Sequence, residues 1–334
     1  MSHYKISRRL STLALAVCLV VAVLLPYGVG EYWVRLMSAA LIAAAAVLGL
    51  NFVLGYTGQI SLMHASTVGM GAYVLGVGTA KFGMDPWVAA GLGVCAAGAF
   101  SYLTGIVLLR LKGHYFALAT LGINVSFSII VSNLVDLTGG SNGISGIPAA
   151  SIFGLVIDTE RKFYYFGLVV VAALSAFAFY VRQSQLGRAM IAVRDDELAA
   201  SVSGLNLTKV KVTALTLGGI YAGIAGAMFA FHAHFVAPED FNISQSIIYL
   251  AMLVVGGEAT ILGSILGAIV ITFLPEWLRW VGSAYLMVFG LIVVGMLFVA
   301  PQGLAGLFRL ACERWNPRAM SKGGTGWPFS KSSQ

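Results

Sequence analysis

Few residues of this 334-residue chain could do covalent chemistry, and their spacing does not suit it. His64 and His114 stand alone. His232 and His234 are spaced i, i+2 with no cysteine beside them, which is too little for a metal site. Cys18, Cys95 and Cys312 are far apart. The chain has no GxxxxGK[ST] phosphate loop, no HExxH helix and no plausible Ser/His/Asp array. The expectation is a protein that is not an enzyme by itself and holds no metal or cofactor. The polar chemistry is concentrated in one island, residues 182–211. There Arg182, Arg188, Arg194, Lys209 and Lys211 flank the acidic run Asp195-Asp196-Glu197.

The island's apolar residues have helical spacing. Leu186, Met190 and Val193 follow i, i+4, i+7, and Leu198, Val202 and Leu205 repeat the pattern. Two short amphipathic helices are predicted. Asp195 is the expected N-cap of the second and Gly204 its C-terminal stop. A segment so charged cannot cross a bilayer core. It is a surface loop or a docking surface for another protein.

The rest of the chain is built to be buried in lipid. Mean hydropathy is +0.89, and 10% of residues are charged, against about 25% in soluble domains. Forty glycines suit closely packed membrane helices. The fold class predicted is an all-α polytopic membrane protein with about ten segments, at 10–26, 36–54, 62–80, 86–109, 115–135, 163–181, 212–231, 242–255, 261–274 and 285–300. The first resembles a secretory signal but lacks a small-residue cleavage site, so a retained helix is preferred. The segments at 242–255 and 261–274 fall short of the roughly 20 residues that span a bilayer. They must extend into their flanks or be broken, re-entrant elements. The regions read off are an N-terminus at 1–9, a transmembrane domain at 10–308 that includes the 182–211 island, and a tail at 309–334.

Several local features carry expectations of their own. Gly69 and Gly71, and Gly219, Gly223 and Gly226, mark tight helix contacts. Glu31 and Arg35 are spaced to pair. The span at 115–135 carries Thr120, Asn124, Ser126, Ser128, Ser132 and Asn133, whose polar groups need partners or a wet cavity. The connection at 136–162, with LTGGSNGISGIP, is turn chemistry: either a flexible loop or a shaped lid. Glu258 needs an aqueous or paired position. Residues expected to border a pathway are Gln59, Ser61, His64, Thr120, Asn124, Asn142 and Gly143.

Transport fits this inventory better than catalysis. Predicted span interiors are nearly free of Asp and Glu, which favours an externally powered permease over an ion-coupled secondary transporter. The island is the surface through which force would enter. The net charge of +7 is read through topology and not as nucleic-acid binding.

The segments GYTGQISLMHASTVGMGAY, LRLKGHYFALATLG, LTGGSNGISGIP, GRAMIAVRDDELAASVSGLN and PQGLAGL, in that order, make the chain resemble the LivM-type permeases of branched-chain amino-acid ABC transporters. The resemblance implies that Gly187 to Asn206 is a cytoplasmic coupling loop, with Gly187, Arg188, Arg194, Asp195, Leu198, Val202 and Gly204 as its working residues. It implies a homologous second permease, two ATP-binding subunits that carry ATP and Mg, a periplasmic solute-binding protein, and residence in a bacterial inner membrane. The cargo implied is a branched-chain or related amino acid, with urea, short amides or aromatic acids as alternatives. Met63 stands where the pattern has glycine, Glu258 where it is commonly neutral, and Ser264 where glycine or proline is frequent.

Fifteen of the twenty basic residues fall on faces predicted to be cytoplasmic when the N-terminus starts inside. Reporter fusions at Lys5 and after Arg314 are therefore expected to read both termini as cytoplasmic. Periplasmic activity at either site would overturn this topology.

Overall fold

The computed structural model describes residues 23–108, 111, 113–152 and 155–279, with scattered positions between 287 and 306. The predicted segments at 10–26 and 285–300 lie mostly outside the described residues, as does the turn at 110–112; the regions 1–9 and 309–334, with Cys18 and Cys312, lie wholly outside.

The chain runs through α1 (Glu31–Leu50, continued as a π-helix over Asn51–Gly55), α2 (His64–Ala80), α3 (Pro86–Leu108), α4 (His114–Asn133) and α5 (Glu160–Gln183). The island forms α6 (Gln185–Asp195) and α7 (Glu197–Val202). Then come α8 (Leu207–Ala233), α9 (Ile243–Gly256) and α10 (Ile261–Trp277). Two small antiparallel ladders decorate this helical body: β1 (Ile144–Ser145) with β4 (Phe235–Val236), and β2 (Ser151–Ile152) with β3 (Leu155–Val156).

Among the described residues five helices are long and apolar enough to cross a membrane: α1 with its π extension, α3, α4, α5 and α8. The expectation of about ten spans is corrected to these five at crossing length. The predicted segments at 62–80, 242–255 and 261–274 are helical but contain only 17, 14 and 17 residues. At about 1.5 Å per residue the 14-residue helix reaches about 21 Å, short of an apolar core about 30 Å thick. The segment at 62–80 is shortened because the chain before His64 is irregular, with Gly58 at φ +71°.

Helix α8 is the axis of packing, and glycine is the reason. Gly219 lies so close to α3 that a Cβ would meet Ser101 Oγ at 2.2 Å. At Gly226 a Cβ would sit 2.0 Å from the Val68 carbonyl oxygen of α2. Gly71, Gly93 and Gly223 bring α2, α3 and α8 together backbone to backbone; a Cβ on Gly71 would be 2.5 Å from Gly223 O, and one on Gly93 2.6 Å from Gly71 O. The glycine stripe expected at 219–226 is thus a contact face, and so is Gly71. Gly69 makes room for the rings of Phe127 and Phe241 instead.

Away from the island, the opposite helix ends are tied by polar contacts. Arg35 lies 3.9 Å from Glu160 across α1 and α5. This corrects the expected pairing with Glu31, because α5 brings a carboxylate onto the side of α1 that Arg35 occupies. Lys81 Nζ donates to Asp136 O. The 136–162 connection is shaped: a one-turn helix at Val135–Thr138, a 3-10 turn at Gly140–Asn142, then β1 against β4.

Because the atoms facing Gly226 are backbone, they cannot move aside as a side chain would. Gly226→Ala is expected to destabilise the protein by about 1–3 kcal/mol, read as a lower thermal unfolding midpoint and reduced membrane abundance. Gly91→Ala, with nothing within 4 Å of its Cβ, is the control. Equal behaviour of the two variants would remove close helix approach as the reason for the stripe.

Candidate functional site

The island's first helix is folded tightly back on α5. Gly187 makes this possible: a Cβ there would lie 2.4 Å from Val181 O and 2.5 Å from Arg182 O. Ser184 caps α6, its Oγ accepting from Gly187 N at 3.4 Å. Met190 and Val193 are buried, with Leu186 packed against the same core. The predicted inner face of α6 is therefore the observed one.

The second helix differs from expectation. Its N-cap is Asp196, whose Oδ1 accepts from Leu198 N at 2.8 Å and Ala199 N at 3.0 Å. Asp195 instead ends α6. The cap falls one residue later because Asp196 is the extended residue between the helices (φ −157°, ψ 107°), the backbone conformation a capping side chain needs. Gly204 at φ +85° ends the element. Leu198 and Val202 are 76% and 84% exposed, while Ala200 is buried. The apolar stripe of α7 thus points away from the body of the chain.

Arg194 is committed within the chain. Its Nη1 donates to Gly55 O at 2.5 Å, and its Nη2 lies 2.9 Å from Glu258 Oε2. Arg188 caps its own turn, Nη1 donating to Gln183 O at 2.8 Å. Lys211 pairs with Glu197, fixing α7 to α8.

Arg194 reaches a second polar knot. Asn51, in the π-helix, donates to Thr260 O at 3.3 Å and accepts from Ala259 N at 2.9 Å. Ala259 has φ +58°, a left-handed conformation that a Cβ disfavours and that this pair of bonds holds. A Cβ on Gly55 would collide with Asn51 Oδ1 at 1.8 Å. The end of α1, the α9–α10 turn and the island are thus joined through Asn51, Glu258 and Arg194.

A second cluster lies inside the helical body. Thr120 and Asn124, on consecutive turns near the middle of α4, are fully buried. Thr120 Oγ1 accepts from Leu62 N at 3.0 Å. Asn124 Nδ2 donates to Ser246 Oγ at 3.0 Å, and the same hydroxyl oxygen accepts from Ala65 N at 3.0 Å. His64 Nε2 is 2.7 Å from Ala46 O, and its ring stands edge-on to Tyr249. Gln59 and Ser61 are buried in the irregular chain before α2, Gln59 Oε1 accepting from Thr57 at 3.3 Å. His64, Thr120 and Asn124 therefore come together with Ser246 and Tyr249.

Asn142 and Gly143 do not join this cluster. They belong to the β1–β4 region, where Asn142 is exposed and a Cβ on Gly143 would lie 2.4 Å from Val236 O. His234 caps α8 and bonds Ile147 O at 3.0 Å, while His232 faces Glu160 at 3.6 Å. Among the described residues no group of three or more His, Cys, Asp or Glu is placed to hold a metal ion.

Sequence reasoning missed Asn51, Ser246, Tyr249 and Thr260. A lone Asn in the apolar run at 36–54 was the available signal for Asn51. Ser246 carries no such signal, since serine in the first turn of a helix is commonplace.

Residues 32–300 match the family described as the permease component of the branched-chain amino acid transport system. The chain is 32% identical over 320 residues to the high-affinity branched-chain amino acid transport system permease protein LivM of Salmonella typhimurium, covering 89% of this chain and 75% of that protein. It is 26% identical over 288 residues to LivH of the same organism, covering 79% and 91%. It is 24% identical over 307 residues to the fructose import permease protein FrcC of Rhizobium meliloti, covering 86% and 84%. No solved structure matches the chain.

The Arg194–Glu258 pair is about two-thirds buried on both sides, and Arg194 also serves Gly55. A double-mutant cycle of Arg194→Ala and Glu258→Ala, read by thermal unfolding of the purified protein, is expected to give about 0.5–1 kcal/mol of coupling. Strictly additive losses would show that the two groups do not sense one another.

Proposed function

The chain belongs to the branched-chain amino acid transport system permease family, and from that membership we propose that it is the membrane permease subunit of an ATP-driven importer for branched-chain or related amino acids. It performs no covalent chemistry. Two ATP-binding subunits, with ATP and Mg, supply the energy. A homologous second permease completes the path, a proposal supported by the likeness to LivH. A periplasmic solute-binding protein delivers the solute. The chain sits in the bacterial inner membrane with both termini cytoplasmic, and the permease domain 10–308 joins helices of crossing length to shorter, broken ones. The basic bias and the shortness of α2, α9 and α10 support that arrangement.

The observation that carries the mechanism is the outward stripe of α7. An exposed Leu198 and Val202 on a capped helix, tied at Arg194 to the ends of α1 and of the short helices, make a surface that can be pushed. Docked in an ATPase cleft, each apolar side chain would contribute about 1.5–3 kcal/mol. Gly187 and Gly204 set the turns at either end. Arg194 passes movement to the α9–α10 turn, and Asp195 and Arg188 shape the α6 surface beside it. Movement reaches the buried cluster through α9, which carries Ser246. Gln59, Ser61, His64, Thr120 and Asn124 line the route, and Asn142 and Gly143 belong to the face that meets the binding protein.

Leu198→Ala combined with Val202→Ala, in a complex reconstituted with its ATPases and binding protein, is expected to weaken complex recovery or to leave ATP hydrolysis without labelled-leucine uptake, at normal membrane abundance. Wild-type recovery, hydrolysis and uptake together would remove the island from the coupling mechanism.

A further inference from the structure

The start of α2 and the first turn of α9 meet at Asn124. Helix α2 begins at the buried His64, beside the middle of α4, while α9, whose start is capped by the exposed Asn242, brings its fourth residue, Ser246, to the same place. A helix start presents unpaired N–H groups and the positive end of a dipole. In the interior of a membrane protein, such half-helix starts favour anionic groups. Met63, at the N-cap of α2, provides no side-chain bond; Ser246 from α9 supplies one instead, taking the Ala65 N–H.

A second observation is independent of the helix ends. Asn124 is completely buried, and its Oδ1 has no hydrogen-bond partner although its Nδ2 is satisfied. A buried amide oxygen left empty in apolar surroundings is costly unless something fills it at another stage. It belongs to the same amide that holds Ser246, so an acceptor without a donor stands one hydroxyl away from the α2 start. One helical turn further along α4 is Phe127, which packs edge-on against Tyr73, itself edge-on to Phe241. Backbone donors, an empty acceptor and an apolar wall are thus adjacent.

We propose that this junction is the transit site for an α-amino acid with an apolar side chain. The Ala65 N–H and the Asn124 Nδ2 receive the carboxylate, Asn124 Oδ1 receives the ammonium group, and the Tyr73–Phe127 wall receives the side chain. In the closed arrangement the hydroxyl oxygen of Ser246 occupies both donors in the carboxylate's place. Movement of α9 withdraws Ser246 and frees two donors at once. The site therefore requires a carboxylate and rejects urea and neutral amides. This assignment rests on the importer reading given above.

The test uses the complete complex in vesicles, with its binding protein, ATP and labelled leucine. Asn124→Leu keeps the volume and removes both amide groups. Uptake is expected to fall at least about tenfold while stimulated ATP hydrolysis persists. Thr104→Val, whose hydroxyl bonds only within α3, should import normally. If Asn124→Leu imports as the wild type does, the site is wrong while the importer reading stands. If the wild-type complex imports no leucine, the importer reading fails and the site with it.

A second measurement covers the case in which Asn124→Leu fails to fold. Ser246→Cys is placed in a background with Cys18, Cys95 and Cys312 changed to Ser and exposed to a charged methanethiosulfonate. It should be unreactive without nucleotide and reactive in complex trapped with ATP and vanadate. Leucine, but not leucinamide, should slow that labelling at least about twofold. An unreactive cysteine in both states, or equal effects of leucine and leucinamide, would overturn the proposal.

Discussion

In hydrocarbon, every backbone N–H and C=O needs a partner within the protein. A helix that starts inside the membrane breaks that requirement at its first turn, and the arrangement around Asn124 follows from the repair. Ser246 and Thr120 reach the chain at Ala65 and Leu62 from two other helices, so α2, α4 and α9 are held in register by side-chain oxygens. Replacing either hydroxyl with an apolar group would leave a buried donor open. By the same constraint, anything that withdrew Ser246 would have to leave another acceptor in its place.

That junction sits in a rigid frame. Helix α8 provides it by packing backbone against backbone on α2 and α3 at Gly71, Gly93 and Gly223. Contacts of this kind involve no rotamers and resist sliding. The short helices α9 and α10 are packed on each other, also through glycines, with Gly256 and Gly267 in close approach. Their connecting turn carries the strained Ala259 and the charged Glu258, held by Asn51 and Arg194. One end of α9 therefore bears Ser246 and the other is tied to the island. Under the coupling proposal, a push on the island would reach the junction along the stretch of α9 between Gly256 and Ser246.

Much of this was legible in the residues. Composition alone made the chain a helical membrane protein, and the i, i+4, i+7 spacing of Leu186, Met190 and Val193 gave the buried face of α6. The glycines at 219–226 announced close contact because nothing else explains so many in one helix. Thr120 and Asn124 stood out as polar groups in an apolar span. Other features depend on contacts far apart in sequence. Arg194 lies 64 residues from Glu258 and 139 from Gly55, and no local pattern pairs them. Ser246 is 181 residues from Ala65. The cap moved from Asp195 to Asp196 because either aspartate satisfies the pattern and only the backbone angles choose between them. Of the described segments, those at 242–255 and 261–274 were already too short in the residues, whereas the 17-residue length of the helix in 62–80 depends on the irregular chain before His64.

The central claim is mechanical: Arg194 links the island to the end of α9, and through it to the polar junction. The direct test is the number of solute molecules imported per ATP hydrolysed by the assembled, reconstituted complex carrying Arg194→Ala. With the link cut, that ratio should fall at least about tenfold while the complex stays intact and hydrolysis continues. A ratio equal to that of the wild type would contradict the account.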